Sequence, residues 1–257
     1  MRPNISNCHA LPGTLIIFDG ADGSGKTTQI EILKKLLEKE GKKVTVSDWK
    51  SSKVIGSFLD QNEALKKTDE KILPETNLFL QAADLLYRIE REIIPALKQN
   101  HVVIMDRGLH TLIVRGLMIG MTEEQVRYGL LWWRNSIYKE LFDRAITVHV
   151  GISLEESLTR LQKRAQEEKL SFWKKAKKTE WTLLSLHFIN LLVYAPDGKK
   201  MTREDKKLFV KNAQEKIINT YKEVFSSEKH VISIDGNIKK NALKKSLKQS
   251  ILDTILH

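Results

Sequence analysis

One lysine, two threonines and three glycines stand at a spacing that can do chemistry. Gly20-Ala21-Asp22-Gly23-Ser24-Gly25-Lys26-Thr27-Thr28 completes the pattern G-x-x-x-x-G-K-[ST], a phosphate-binding loop. Glycines at 20, 23 and 25 allow backbone turns that a Cβ forbids, so several N–H groups can face one concavity. A polyphosphate sits well there, on the positive N-terminus of the helix that follows. Lys26 has the charge and reach for β- and γ-phosphates, and the Thr27 hydroxyl suits Mg²⁺. Gly20, Asp22, Gly23, Ser24, Gly25, Lys26, Thr27 and Thr28 are therefore the expected cradle for ATP, with Mg²⁺ as its companion.

The elements that must hold this loop are legible around it. Thr14-Leu15-Ile16-Ile17-Phe18, introduced by Pro12-Gly13, is an apolar run that predicts a buried strand. Ile30, Leu33, Leu36 and Leu37 then recur at helical spacing, and Gly41 supplies a stop. Further strands are predicted over 44–46, 101–105, 145–150 and 230–234, the one over 101–105 continuous and apolar as in a parallel sheet. Pro74 suits the first turn of a helix striped by Leu78, Ala82, Leu85 and Ile89, which Pro95 ends or kinks. Thr122 to Gln125 and Ser153 to Glu156 read as capping boxes, opening helices through about 139 and 168. Leu208, Ala213, Ile217, Tyr221 and Val224 mark a long helix, and Leu243, Leu247, Ile251 and Ile255 the last. Alternating strands and helices give an α/β fold, a three-layer α/β/α sandwich around a five-stranded parallel sheet.

Composition narrows the class. At 257 residues and 41% hydrophobic content, one domain is expected, with a lid or insert at about 160–207. A single cysteine, Cys8, excludes a disulfide framework and suggests a reducing, cytoplasmic setting. No run is apolar enough to span a membrane, and the N-terminus lacks a signal pattern. The histidines form no metal-ligand cluster. A net charge of +11 fits phosphate-rich partners or solvated lysines on helix faces; nucleic acid is the less favoured partner. Residues 170–200 form an apolar stretch flanked by lysines, suited to packing on the domain, to a lid or to a protein contact.

Two further clusters bear on chemistry. Asp106-Arg107 follows the third strand at its carboxyl end, where open α/β sheets place ligands. Asp106 can hold Mg²⁺ or its waters, and Arg107 can fork onto a second phosphate; a structural ion pair is the plainer alternative. Arg160 and Arg164, four apart, share one helix face. They can stabilise a transferring phosphoryl group or simply line a solvated face. Together these groups suit a protein that clamps two phosphorylated ligands and moves a phosphoryl group between them, which needs no nucleophilic side chain.

These blocks resemble the thymidylate kinase family of P-loop nucleoside monophosphate kinases. Phe18 to Gln29 is similar to the family's opening signature. Ala82-Ala83-Asp84, Ile94 to Leu97 and Val102 to Arg107 are similar to its middle block. Leu158 to Arg164 resembles the start of its lid, and Tyr221 and Ile234-Asp235-Gly236 its closing helix and base loop. The resemblance implies that Asp22 touches the acceptor sugar, Arg107 holds the acceptor phosphate, Arg160 and Arg164 act from the lid, and Gly236 borders the ATP base. It also implies a small-molecule nucleotide acceptor and a homodimer. Position 23 is Gly, as in the branch whose lid arginines supply the catalytic charge.

The chain departs from the family on the acceptor side. Ser47-Asp48-Trp49-Lys50 replaces an Arg-Glu-Pro-Gly segment, Gln81 stands where a base-stacking Phe is usual, Leu85 where an Arg is usual, and Gly108 where an aromatic is usual. Gln81 could hydrogen-bond a base edge, Arg88 lies one turn beyond the missing arginine, and Trp49, Trp132 or Trp133 could replace the platform. The expected activity is transfer of the γ-phosphoryl group of Mg·ATP to a nucleoside monophosphate. A kinase of another small molecule ranks second, and a non-enzymatic nucleotide- or nucleic-acid-binding protein third.

Overall fold

The computed structural model describes residues 11–64, 73–130, 137–172, 201–228, 230–238 and 240–256. Among these, five strands form one sheet: β1 (Thr14–Asp19), β2 (Val44–Ser47), β3 (Val102–Asp106), β4 (Ile146–Gly151) and β5 (Val231–Asp235). Their order is β2-β3-β1-β4-β5, and every pairing is parallel. The strand ahead of the glycine-rich loop is therefore central, and its carboxyl end opens into the crevice that the crossovers leave.

Side-chain alternation along the strands explains the three layers. Leu15, Ile17, Val103 and Met105 face one side, under α3 (Pro74–Arg88), α4 (Ile94–Lys98) and α5 (Leu109–Met118). Ile16, Phe18, Ile104, Val148 and Val150 face the other, under α1 (Lys26–Lys39) and α10 (Lys240–Leu247). A third cluster joins α5, α8 (Leu154–Phe172) and α9 (Arg203–Ser226). The remaining helices are α2 (Ile55–Ala64), α6 (Glu123–Leu130), α7 (Ile137–Asp143) and α11 (Asp253–Leu256). No helix of the described residues is long and apolar enough to cross a membrane.

Local signals account for several boundaries. Gly41 takes φ 74° just past α1, and the Lys42 and Gly41 amides donate to the Leu37 and Glu38 carbonyls at 3.0 and 3.1 Å, closing the helix with its last carbonyls satisfied. Pro95 does not end its helix. A π-helical turn over Ile89–Ile93 precedes it, and the chain continues as α4. The Thr122–Gln125 capping box forms in both directions.

Three expectations need correction. Ser153 caps the Glu156 amide at 3.3 Å, but the box stays half made, because the Glu156 carboxylate accepts from Arg160 and the Ser153 amide donates to Asn237. On α9 the buried stripe is Val210, Ala213, Gln214, Ile217, Tyr221 and Phe225, with Leu208 exposed. Helix α5 was absent from the expected elements, although Leu109, Leu112, Ile113 and Gly116 repeat at helical spacing. Trp132, Trp133 and residues 173–200, most of the expected insert, lie outside the described residues.

Candidate active site

The loop between β1 and α1 is fixed by side chains from four directions. Lys26 Nζ donates to the carbonyls of Gly20 and Ala21, both at 2.9 Å, and to Ser24 Oγ at 3.4 Å. Ser157 Oγ and Gln214 Nε2 donate to the Asp22 carbonyl at 2.8 and 2.9 Å. Arg160 donates to the Gly23 carbonyl at 3.1 Å, and Arg107 to the Gly20 carbonyl at 3.2 Å. Gly20, Gly23 and Gly25 all take positive φ, and Gly25 is the left-handed cap of α1. The loop is thus preshaped by the chain's own contacts. Ser24 is buried, and Thr27 and Thr28 are exposed in the first turn of α1.

Burial and the neighbouring Arg107 push the Lys26 ammonium down to about 8, against the pull of Asp22 and Asp106. It remains largely charged at neutral pH. At the end of β3, burial pushes the Asp106 carboxyl above the usual carboxylate range. Its Oδ1 is buried and receives no hydrogen bond. A desolvated, unsatisfied carboxylate oxygen fits a hard cation such as Mg²⁺.

Arg107 is one of four non-glycine residues, among those described, that take a positive φ. Its φ is 63°, in the left-handed region that costs a bulky residue roughly 1–2 kcal/mol. The Arg107 amide donates to the Phe18 carbonyl at 2.9 Å, and its guanidinium reaches back to Asp22 and to Tyr221 Oη. Burial opposes its charge, but Asp22, Tyr221 and Asp106 hold its proton more tightly than usual. Asp22, Arg107, Val114, Arg115, Met118 and Tyr221 all border one cleft that is partly open to solvent. The structure therefore brings Lys26, Asp106, Arg107 and Asp22 into one neighbourhood.

It places other expected residues differently. Arg88 is fully buried; Nε donates to Asp84 at 3.1 Å, Nη1 to the Ser47 carbonyl at 3.3 Å, and Nη2 to the Arg107 carbonyl at 3.5 Å. It braces the ends of β2 and β3 instead of meeting an acceptor. Gln81 is also buried; it donates to Asn77 Oδ1 at 3.0 Å and accepts from Arg115 at 2.5 Å. Leu85, in the usual arginine position, is core. Arg160 does not reach out from a lid. It bridges the Gly23 carbonyl to the Gly236 carbonyl, the latter at 2.9 Å, while Glu156 holds its Nε at 2.7 Å. Arg164, one turn on, is exposed.

Two glycines answer to close approach. A Cβ on Gly108 would lie 2.7 Å from Ile17 Cγ2, so nothing aromatic fits after Asp106-Arg107 in this backbone. A Cβ on Gly236 would lie 2.4 Å from the Ser24 carbonyl. We expect Gly236→Ala to push the β5 turn off the loop and to raise the Michaelis constant for ATP more than tenfold. An unchanged constant would disconnect that turn from the nucleotide.

Sequence reasoning missed the groups behind the loop. Asp19, fully buried, accepts from the Gly108 amide at 3.1 Å and from Thr111 Oγ1. Thr111 and Tyr221 hydroxyls lie 2.8 Å apart. His110 sits between Asp19 at 3.7 Å and Glu228 at 3.5 Å, both within ion-pair distance. Burial opposes its charge, yet those two carboxylates raise it to about 9. His149, stacked on Phe225 with centroids 4.5 Å apart, is instead pushed down to about 4, chiefly by burial. The folded pKa of His110 lies above its ordinary 6.5. Its stabilisation is therefore complete below about pH 6.5 and lost as pH rises through 9. Lys26, shifted the other way, acts with opposite sign above pH 8. The difference in melting temperature between wild type and His110→Gln isolates the histidine: it should shrink between pH 6.5 and 9. A pH-independent difference would mean that His110 is neutral.

Comparison with known proteins agrees with this geometry. The thymidylate kinase family model matches residues 18–191, more than half of the chain. A thymidylate kinase of Caldanaerobacter subterraneus subsp. tengcongensis is 32% identical over 172 residues, covering 65% of this chain and 79% of that protein. A probable thymidylate kinase 2 of Saccharolobus solfataricus is 29% identical over 227 residues, 88% of this chain and 90% of its own. A thymidylate kinase of Caldicellulosiruptor saccharolyticus is 30% identical over 161 residues, 62% and 75% of the two chains. The non-enzymatic alternative falls with these matches: the chain belongs to the thymidylate kinase family and is, by that membership, a nucleotide kinase.

Proposed function

We propose that the protein transfers the γ-phosphoryl group of Mg·ATP to a nucleoside monophosphate. One observation carries the reading. The guanidinium of Arg107 lies against the phosphate-binding loop, at the Gly20 carbonyl and Asp22, and borders the same cleft. A phosphate-binding loop alone marks a nucleoside triphosphate site. A buried guanidinium beside that loop, on the same cleft, supports a second anion within transfer distance.

Lys26 screens the triphosphate and Arg107 orients the acceptor phosphate. The attacking atom is then a phosphate oxygen that is already anionic, so no side chain must first remove a proton. Thr27 and Asp106 are the residues that would hold Mg²⁺, which when bound neutralises charge on the phosphate oxygens. Arg160 positions the loop against the Gly236 turn. Arg164 is the exposed arginine that we assign to charge stabilisation during transfer.

A second reading, a different small-molecule acceptor on the same scaffold, draws support from Gln81, Leu85 and Gly108. ADP release measured across nucleoside monophosphates, nucleosides and phosphorylated metabolites separates the two. The main reading expects a monophosphate to give the highest kcat/KM. Turnover confined to other metabolites would replace it with the second.

A further inference from the structure

Tyr221 belongs to the apolar cluster that joins α5, α8 and α9, and its ring lies nearly parallel to Phe225 with centroids 6.2 Å apart. A phenylalanine would pack as well. The hydroxyl does what a phenylalanine could not: it lies 2.8 Å from Thr111 Oγ1 and accepts from Arg107 Nη1 at 3.4 Å. The direction of each bond follows from the protons. Thr111 has one hydroxyl proton, and it goes to the fully buried Asp19 carboxylate. Burial opposes the charge on Asp19, but His110, Thr111 and Arg107 hold its carboxyl below the ordinary carboxylate range, so it accepts and does not donate. Burial pushes the Tyr221 phenol up to about 12, so it keeps its proton. That proton goes to Thr111 and leaves the phenolic oxygen for Arg107, which only donates. Donation therefore runs from Arg107 to Tyr221 to Thr111 to Asp19. Asp19 also accepts from the amide of Gly108, the residue after the left-handed Arg107, at 3.1 Å. One buried carboxylate thus holds Arg107 at its backbone exit and, through two hydroxyls, at its guanidinium.

We propose that Tyr221, Thr111 and Asp19 are positioning residues for phosphoryl transfer, a relay of two hydroxyls anchored on a buried carboxylate that aims the Arg107 guanidinium at the acceptor phosphate. The inference rests on the monophosphate kinase reading above. With Nη1 tied to Tyr221, the fork meets a phosphate in one orientation and loses little freedom when it binds. Each bond in the row also polarises the next, so the terminal carboxylate strengthens the hold on the guanidinium two hydroxyls away.

Steady-state kinetics of the full-length enzyme, with the nucleoside monophosphate of highest kcat/KM, test the relay. Tyr221→Phe removes one oxygen and keeps the ring. It should lower kcat/KM for the acceptor about three- to tenfold, the loss expected for one buried hydrogen bond. The Michaelis constant for ATP should stay within about twofold of wild type. In an Arg107→Ala background the same change should cost less than about twofold, because the group being aimed is gone. Thr111→Val keeps the branched shape but cuts Tyr221 from Asp19, and should reproduce the loss. Thr111→Ser restores the hydroxyl and should recover at least about half of wild-type kcat/KM. Melting curves identify a variant that has lost its fold, and the Tyr221 and Thr111 series each carry the test alone. A loss of equal size with and without Arg107, equal shifts in both Michaelis constants, or a serine no better than valine overturns the inference and leaves the kinase reading standing. Absence of wild-type turnover with every monophosphate overturns the kinase reading itself.

Discussion

Replacing Lys26 by alanine lowers phosphoryl transfer by about a thousandfold while the protein keeps its fold. The loss follows from position. Lys26 is buried at the first turn of α1, with Nζ over the Gly20 and Ala21 carbonyls and close enough to Asp22 and Asp106 to feel their charge. No other lysine is in the buried polar set of the described residues. A preorganised donor acting on developing phosphate charge contributes roughly 3–4 kcal/mol when it is lost. The fold survives because Lys26 belongs to none of the three apolar clusters that hold the layers together. Initial rates with saturating acceptor, together with a melting curve, check both halves. Wild-type turnover in the variant would remove the lysine from the chemistry. A collapsed melting transition would instead make it structural.

Arg107→Ala is the second large effect, and it should fall on the acceptor. Losing a charge-assisted fork costs about 2–3 kcal/mol, so the acceptor Michaelis constant should rise roughly 30- to 150-fold, with that for ATP moving far less. Equal changes in the two would place the guanidinium on the ATP phosphates. Arg107→Gly loses the same contacts but relieves the left-handed φ of 63°. It should therefore be more stable than Arg107→Ala by about 1 kcal/mol, with the same kinetic defect. A glycine variant no more stable than the alanine one would mean that the backbone there relaxes without cost.

The phosphate-loop side of this site could be read from the chain because its chemistry is local. Gly20 to Thr28 are consecutive, and the strand before them and the helix after them carry plain periodicities. Asp106-Arg107 was legible too, since a buried strand has to deliver its last residues to the sheet's carboxyl edge. The acceptor side was not, because its contacts are tertiary. Arg115 meets Gln81 from 34 positions away, and no local pattern records that pairing. Arg88 looked available one turn beyond the missing arginine, yet helix phase and the acidic Asp84 turn it into the core. Arg160 has the spacing of an exposed charge. Its donors instead find backbone carbonyls 76 and 137 positions away. Fully buried Asp19 and the two oppositely shifted histidines were hidden for the same reason: their partners come from β1, α5, β4 and α9, which only the folded sheet brings together.

The most direct measurement follows the phosphorus. ATP labelled at its γ-phosphoryl group is incubated with Mg²⁺ and the nucleoside monophosphate that gives the highest kcat/KM, and the products are separated. The label should appear in the nucleoside diphosphate made from the acceptor, in step with ADP, and should disappear in Lys26→Ala. Label released only as inorganic phosphate, at the same rate with and without acceptor, would show that water is the acceptor and that Arg107 does not hold a second substrate.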